Sequence, residues 1–228
     1  MSTEKLTQEE IDRMMSELTQ APVAASTTIS QMESDIIGEV GNISMSQAAT
    51  TLSEILGHKV HITTPQVFVK SIREVIDAAV KPKIITSIGF KKGLTGNNLL
   101  LMDAQDSVII ANLMMGGDGQ VTSSELTELE LSAVGEAMNQ MMGSSATAMA
   151  TMLGKMIDIL PPEVHLVDDK EHFNVDIGVD NLNADVCLIA FQLEVEGILQ
   201  SEIMQVFTMD AVKEITEIML ADQGEVLA

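Results

Sequence analysis

The chain has 228 residues, an apolar fraction of 46%, and 34 acidic against 12 basic side chains, a formal charge of −22. That length and apolar content suffice for one large domain or two small ones with a real core. The charge repels phosphate backbones and anionic lipid, which argues against nucleic acid and membrane and for another protein as partner. The core must be aliphatic and adaptable, since 17 Met and five Phe stand without Trp or Tyr. Cys187 is the lone cysteine. With no charged-then-apolar leader and no apolar run near the roughly 18–20 residues that span a bilayer, the sequence predicts a cytoplasmic protein with no transmembrane segment.

The first element, EKLTQEEIDRMMSEL, carries a helix-start signature: Thr7 as N-cap, Glu10 three residues on, and Leu6 placed against Ile11. Ile11, Met14, Met15 and Leu18 follow at helical spacing and form one narrow apolar stripe. Residues 1–18 are therefore read as a separate helical peptide, suited to docking in a groove on a partner. Residues 19–33, small, polar and Pro-containing, read as a flexible linker.

A long helix is expected over Ser34–Leu56, ending at Gly57, with KVHITTPQVFVKSI continuing as a strand. Strands VKPKIITSIGFKKG and NNLLLMD follow, then a short helix in MDAQDSVIIANLMMGG. GGDG at 116–119 reads as a turn, because no Lys-Ser/Thr completes a phosphate loop. The second half repeats the order: a helix from about Glu125 to Leu153, strands in MIDIL, EVHLV, HFNVDIGV and DVCLIAFQLEV, and a closing helix in TMDAVKEITEIML. Even the entry to the last helix recurs, Met102-Asp103-Ala104 against Met209-Asp210-Ala211. The expected fold is α/β of the α+β kind: a duplicated unit with pseudo-two-fold symmetry, sharing one largely antiparallel sheet with two long helices and shorter flanking ones. Its halves are 34–117 and 125–221, with 222–228 as a tail.

The repeat has a fixed core. Asp or Ser, three residues, Glu, two residues, Asn, 22 residues and Pro occur twice, as Asp35, Glu39, Asn42, Pro65 and as Ser132, Glu136, Asn139, Pro162. At about 100° per residue, Asp35, Glu39, Asn42 and Ser46 share one helical stripe, and Ser132, Glu136, Asn139 and Gly143 share its counterpart. The apolar face is expected to carry Ile36, Ile37, Val40, Ile43 and Leu52, leaving the carboxylate and carboxamide toward solvent or a partner. Gly38, Gly41, Gly135 and Gly143 are expected to keep side-chain bulk away from the pair. One Glu/Asn pair on an exposed helix is ordinarily a solvated face. Two pairs at identical offsets are hard to assign to accident. Asp35 and Ser132 are read as supporting residues near each helix start, and Pro65 and Pro162 as structural. His58 and His61 have no third partner at metal-ligand spacing, and Cys187 in VCLIAF reads as a buried small hydrophobe.

The doubled motif resembles the signature of the CheC, CheX and FliY phosphatases, which remove phosphate from the aspartyl-phosphate of the chemotaxis response regulator CheY. The resemblance covers about Asp35 to Leu220. It implies a CheC-like phosphatase domain over 34–221 in which Glu39, Asn42, Glu136 and Asn139 form two catalytic pairs, Asn orienting the attacking water and Glu anchoring the regulator. No metal or cofactor of its own is implied, the Mg²⁺ arriving on the CheY substrate. LTQEEIDRMM is similar to the CheY-binding peptide that begins flagellar switch proteins, which favours the FliY branch. FliY chains end in a FliN-like domain that is not matched before Ala228, so rotor anchoring is not assigned to these residues. Phosphorylated CheY is the implied partner, with the switch proteins FliM, FliN and FliG beside it at the cytoplasmic face of the flagellar basal body. The competing reading is a non-enzymatic switch adaptor, since FliM shares the fold but lacks the Glu/Asn pair.

Overall fold

Each half opens on a helix whose first turn is locked by a reciprocal cap. In the computed structural model, described over residues 28–79, 81–121, 126–167 and 181–226, α1 spans Gln31–Leu56 and α4 spans Glu128–Met152. Ser30 Oγ accepts from the Glu33 amide at 3.2 Å while Glu33 Oε2 accepts from the Ser30 amide at 2.7 Å. Thr127 and Glu130 repeat this at 3.3 Å and 2.8 Å. Gly57 at φ 65° and Gly154 at φ 59° take up the left-handed turn after each helix, a conformation that costs glycine nothing.

These caps set the helix starts differently from the expectation. Ser30, not Asp35, caps α1, so the helix begins three residues before Ser34 and takes in part of the expected linker. Thr127, not Ser132, caps α4. The C-terminal helix α5 covers Met209–Val226, through most of the expected tail. Residues 1–27 lie outside the described residues, and with them Leu6, Ile11, Met14, Met15 and Leu18.

Between the helices run β1 (Val60–Ile62), β2 (Gln66–Ser71), α2 (Ile72–Ala78), β3 (Lys83–Lys92), β4 (Asn97–Asp103) and α3 (Ala104–Met114) in the first half. The second has β5 (Asp158–Ile159), β6 (Glu163–Val167), β7 (Asp185–Val195) and β8 (Leu199–Thr208) before α5. The eight strands among the described residues form one antiparallel sheet, with β4 and β8 adjacent at its centre. Flanking them are the hairpin partners β3 and β7. Each half then lends its first two strands to the other: β1 and β2 pair with β7, and β5 and β6 pair with β3. This exchange makes the two halves one structural unit, as a shared sheet predicts.

KVHITTPQVFVKSI is not a single strand. Val60 faces Val195 and Gln66 faces Ala190, so six steps on one side answer five on the other. The extra residue falls in Thr63-Thr64-Pro65, where proline has no amide to give the ladder. The second copy does the same: Ile159 faces Phe90 and Glu163 faces Ser87, four steps against three, across the segment holding Pro162.

Two elements were not expected from the sequence. The central strand β8, LQSEIMQVFT, hides because Ser201 and Gln205 occupy buried positions where alternation calls for apolar residues. The short helix α2 starts directly from β2, capped by Ser71 and Glu74. The expected strand HFNVDIGV lies outside the described residues.

The sheet buries one face against α1, α3, α4 and α5, with Phe191, Phe207, Met45, Leu52, Met138 and Leu100 among the fully enclosed side chains. A second, smaller core of Ile72, Val75, Ile76, Ile85, Leu101 and Leu188 lies on the opposite face with α2. Cys187 is fully buried, and burial pushes its thiol up to about 12.

The caps give stability a specific acid dependence. Hydrogen bonds from the cap amide, then from the cap hydroxyl, hold Glu33 and Glu130 below their ordinary value near 4.5. A depressed carboxyl stabilises the fold above its unfolded pKa and loses that contribution as pH falls through the lower, folded value. We therefore expect Ser30→Ala with Thr127→Ala to cost about 0.5–2 kcal/mol per helix at neutral pH. Thermal melts of wild type and variant should draw closer as pH falls through the lowered carboxyl value, with the amide-to-hydroxyl cap bond, which does not titrate, keeping a residual difference.

Candidate functional site

The 97-residue repeat places two polar stripes on α1 and α4, the two helices that pack against each other over the sheet. On α1, Asp35, Glu39 and Ser46 are exposed and Asn42 is half-buried. On α4, Ser132, Glu136 and Asn139 are exposed. Ile36, Ile37, Val40 and Leu52 face the core as expected, and their counterparts Val134, Ala137 and Met149 do so from α4. Neither pair is enclosed by its own fold, so a partner can reach both.

The supporting residues act within their helices. Asp35 Oδ1 accepts from Gln31 Nε2 at 2.8 Å, and Ser132 Oγ donates to the Glu128 carbonyl at 2.8 Å. Pro65 and Pro162 are half-buried, each in the bulged link between two short strands.

Ile43 departs from the expected core face and is 40% exposed. It sits one turn beyond Glu39, and at about 100° per residue that carries it beside the polar stripe rather than opposite it. Its counterpart on α4 is Gln140, whose Nε2 donates to Glu136 Oε1 at 2.7 Å. The two sites therefore differ: Glu136 is held by a neighbouring amide, whereas Glu39 has an apolar neighbour at the same offset.

The glycines do not all keep the site open. A Cβ at Gly38 would lie 3.4 Å from Val67 Cγ2, and one at Gly135 would lie 3.6 Å from Val164 Cγ2. Both are ordinary contact distances to the strand that follows each proline. Gly41 is tighter still, with Ile189 Cδ1 at 3.1 Å and Phe191 Cζ at 3.4 Å from the same construction. Gly143 alone of the four has nothing within 4 Å. Gly41 thus serves packing beneath the stripe, Gly38 and Gly135 stand where a methyl group would make ordinary contact, and Gly143 leaves space on the stripe.

Among the described residues, no group of three His, Cys, Asp or Glu stands close enough to hold a metal ion. His58 and His61 are exposed. GGDG forms the expected turn, with Gly116 at φ 83° and Gly119 at φ 80°. No described helix is long and apolar enough to cross a membrane.

Comparison with known proteins places both stripes in one family. The CheC-like family matches residues 32–69 and 129–166, the two segments that carry the repeat. The flagellar motor switch phosphatase FliY of Bacillus subtilis is 40% identical over 99% of this chain, and the chain spans 60% of that relative's length. The CheY-P phosphatase CheX of Thermotoga maritima is 35% identical over 36% of this chain and 50% of its own. The crystal structure of Thermotoga maritima FliY superimposes with a TM-score of 0.79 at 42% identity, covering 86% of this chain and 99% of that one. A chain in the crystal structure of the FliG–FliM complex from H. pylori shares the fold at 12% identity and a TM-score of 0.68, covering 83% of this chain.

Proposed function

The chain belongs to the CheC-like family, in its FliY branch, and on that footing we propose that it hydrolyses the aspartyl-phosphate of a CheY-type receiver. The observation that carries the reading is the solvent access of two Glu/Asn pairs, Asn42 half-buried and the other three residues exposed, at one offset on two equivalent helices.

An acyl phosphate needs no enzyme nucleophile. Water attacks phosphorus in line, the bond from phosphorus to the aspartyl oxygen breaks, and the receiver's carboxylate leaves with inorganic phosphate as the second product. The catalyst has to position that water. A carboxamide offers an acceptor oxygen to one water proton and a donor nitrogen to a phosphoryl oxygen, so Asn42 and Asn139 can do both at once. An aspartate there would set a negative charge against the phosphate. Little is gained from early proton removal in a loose phosphoryl transition state, so Glu39 and Glu136 serve to anchor the receiver through a lysine near its phosphorylated residue. Mg²⁺ belongs to the substrate, held in the receiver's own acidic pocket.

Residues 1–18 are assigned to recruitment. With Leu6, Ile11, Met14, Met15 and Leu18 as the docking stripe, a tethered helix raises the local receiver concentration toward the millimolar range. The place of action is the flagellar motor switch, where FliM, FliN and FliG are the candidate neighbours.

The reading is tested by following phosphate on an acyl-phosphorylated CheY receiver in Mg²⁺, alone and with catalytic amounts of this chain. Accelerated loss with turnover is the expected outcome. An unchanged phosphate lifetime at saturating chain overturns the enzyme reading in favour of a binding adaptor.

A further inference from the structure

We infer that Met32 and Leu129 are apolar anchors with which each site grips its receiver, one turn N-terminal to Asp35 and Ser132. The inference rests on the phosphatase reading and names contacts that reading does not require.

Met32 is 61% exposed and Leu129 is 69% exposed, and they occupy the same place in the two copies, 97 residues apart. Seven residues separate each from the Glu of its site, which at about 100° per residue leaves it within roughly 20° of the polar stripe. Each lies inside a reciprocal cap, Ser30 with Glu33 or Thr127 with Glu130, so the turn that presents it is fixed by hydrogen bonds in both directions. A single exposed apolar side chain on a soluble protein needs no explanation. Two at one register, on the face that carries the candidate chemistry, call for one.

Charge points to the occupant. The chain carries −22, and a receiver bearing a phosphoryl group approaches it with further negative charge, so long-range attraction cannot supply capture. The Glu contact to a lysine is local. At the site itself, beyond that contact, apolar area removed from water is the source of grip that Met32 and Leu129 can supply. Ten residues separate Met32 from Asn42, and Leu129 from Asn139, which is about 15 Å along a helix. The receiver should therefore carry an apolar patch about 15 Å from its phosphorylated aspartate.

Each anchor is best tested with the other site silenced in binding as well as chemistry: Met32→Ser in the Glu136→Arg, Asn139→Ala protein, and Leu129→Ser in the Glu39→Arg, Asn42→Ala protein. Two quantities are read, steady-state phosphate release and calorimetric binding of a receiver carrying beryllofluoride in place of phosphate. We expect KM and Kd to rise roughly tenfold for each anchor while the saturated rate constant stays within twofold. Met156→Ser, at a residue 68% exposed but on neither helix, should change neither. An unchanged Kd overturns the inference whether or not the chain hydrolyses phosphate, so its failure is separable from that of the enzyme reading. A changed sedimentation coefficient with an unchanged Kd would also overturn it, because the occupant would then be a second copy of the chain.

Discussion

Asn42→Ala combined with Asn139→Ala is expected to lower the catalysed rate of phosphate loss by at least about 100-fold, with the receiver still bound and the fold intact. Removing one preorganised hydrogen-bonding group from a reacting centre commonly costs about 100- to 1000-fold, or roughly 2.7–4 kcal/mol of barrier. Here the amide is the proposed positioning group, so little catalysis should survive it. Asn139 is exposed and Asn42 half-buried, and surface truncations of this kind shift stability by no more than about 0.5 kcal/mol. The loss should thus appear in the saturated rate constant and not in thermal melts. A single substitution leaves one intact site and should cost no more than about half the rate if the two are equal. The Gln140 contact to Glu136 gives a reason for inequality, because the second carboxylate must give up a 2.7 Å hydrogen bond before it can hold a partner.

Phe191→Ala carries the largest expected cost to the fold. The ring is 1% exposed, lies on β7 opposite Ile203, and stands against α1 at Gly41, where an added Cβ would meet its Cζ at 3.4 Å. Truncating such a ring costs about 3–5 kcal/mol through lost burial and the cavity left behind. Total stability is ordinarily about 5–15 kcal/mol. For a chain of this size the thermal midpoint should drop by about 6–20 °C. The damage should also be lopsided. Phe191 supports the helix that carries Asn42, so hydrolysis by the first site, isolated with Asn139→Ala, should suffer more than hydrolysis by the second, isolated with Asn42→Ala. Equal losses at both would mean that the ring stabilises the shared core without setting the height of α1.

Much of this architecture is legible in the sequence because duplication prints each local rule twice. Gly57 and Gly154 mark the helix ends, the continuous apolar run in NNLLLMD marks β4, and identical offsets expose the Glu/Asn pairs. The misreadings have particular causes. Asp35 and Ser132 head the repeated letters, but the caps are set one turn earlier, by Ser30 with Glu33 and Thr127 with Glu130, whose signatures stand in the sequence ahead of the motif. Ser201 and Gln205 mask β8 because an inward polar residue breaks the alternation that identifies a strand. Ile43 is apolar enough to suggest a core position, but its angle puts it beside Glu39 and it is exposed. Gly38 and Gly135 leave no sequence trace of what they approach, since Val67 and Val164 each come from a strand 29 residues further along the chain. Exposure of Met32 and Leu129 is likewise a property of the assembled layers, though their shared register is already written in the repeat.

The central claim is that a carboxamide on α1 or α4 holds the attacking water. The measurement that tests it most directly is the crystal structure of this chain bound to Mg²⁺ and a CheY-type receiver whose acyl phosphate is replaced by beryllofluoride. The account predicts the receiver seated on the Met32–Ser46 or Leu129–Gly143 stripe, with the Asn42 or Asn139 carboxamide within about 3.2 Å of a beryllofluoride fluorine or of the in-line water. A receiver bound on the opposite face of the sheet, with both asparagines left in solvent, would contradict it.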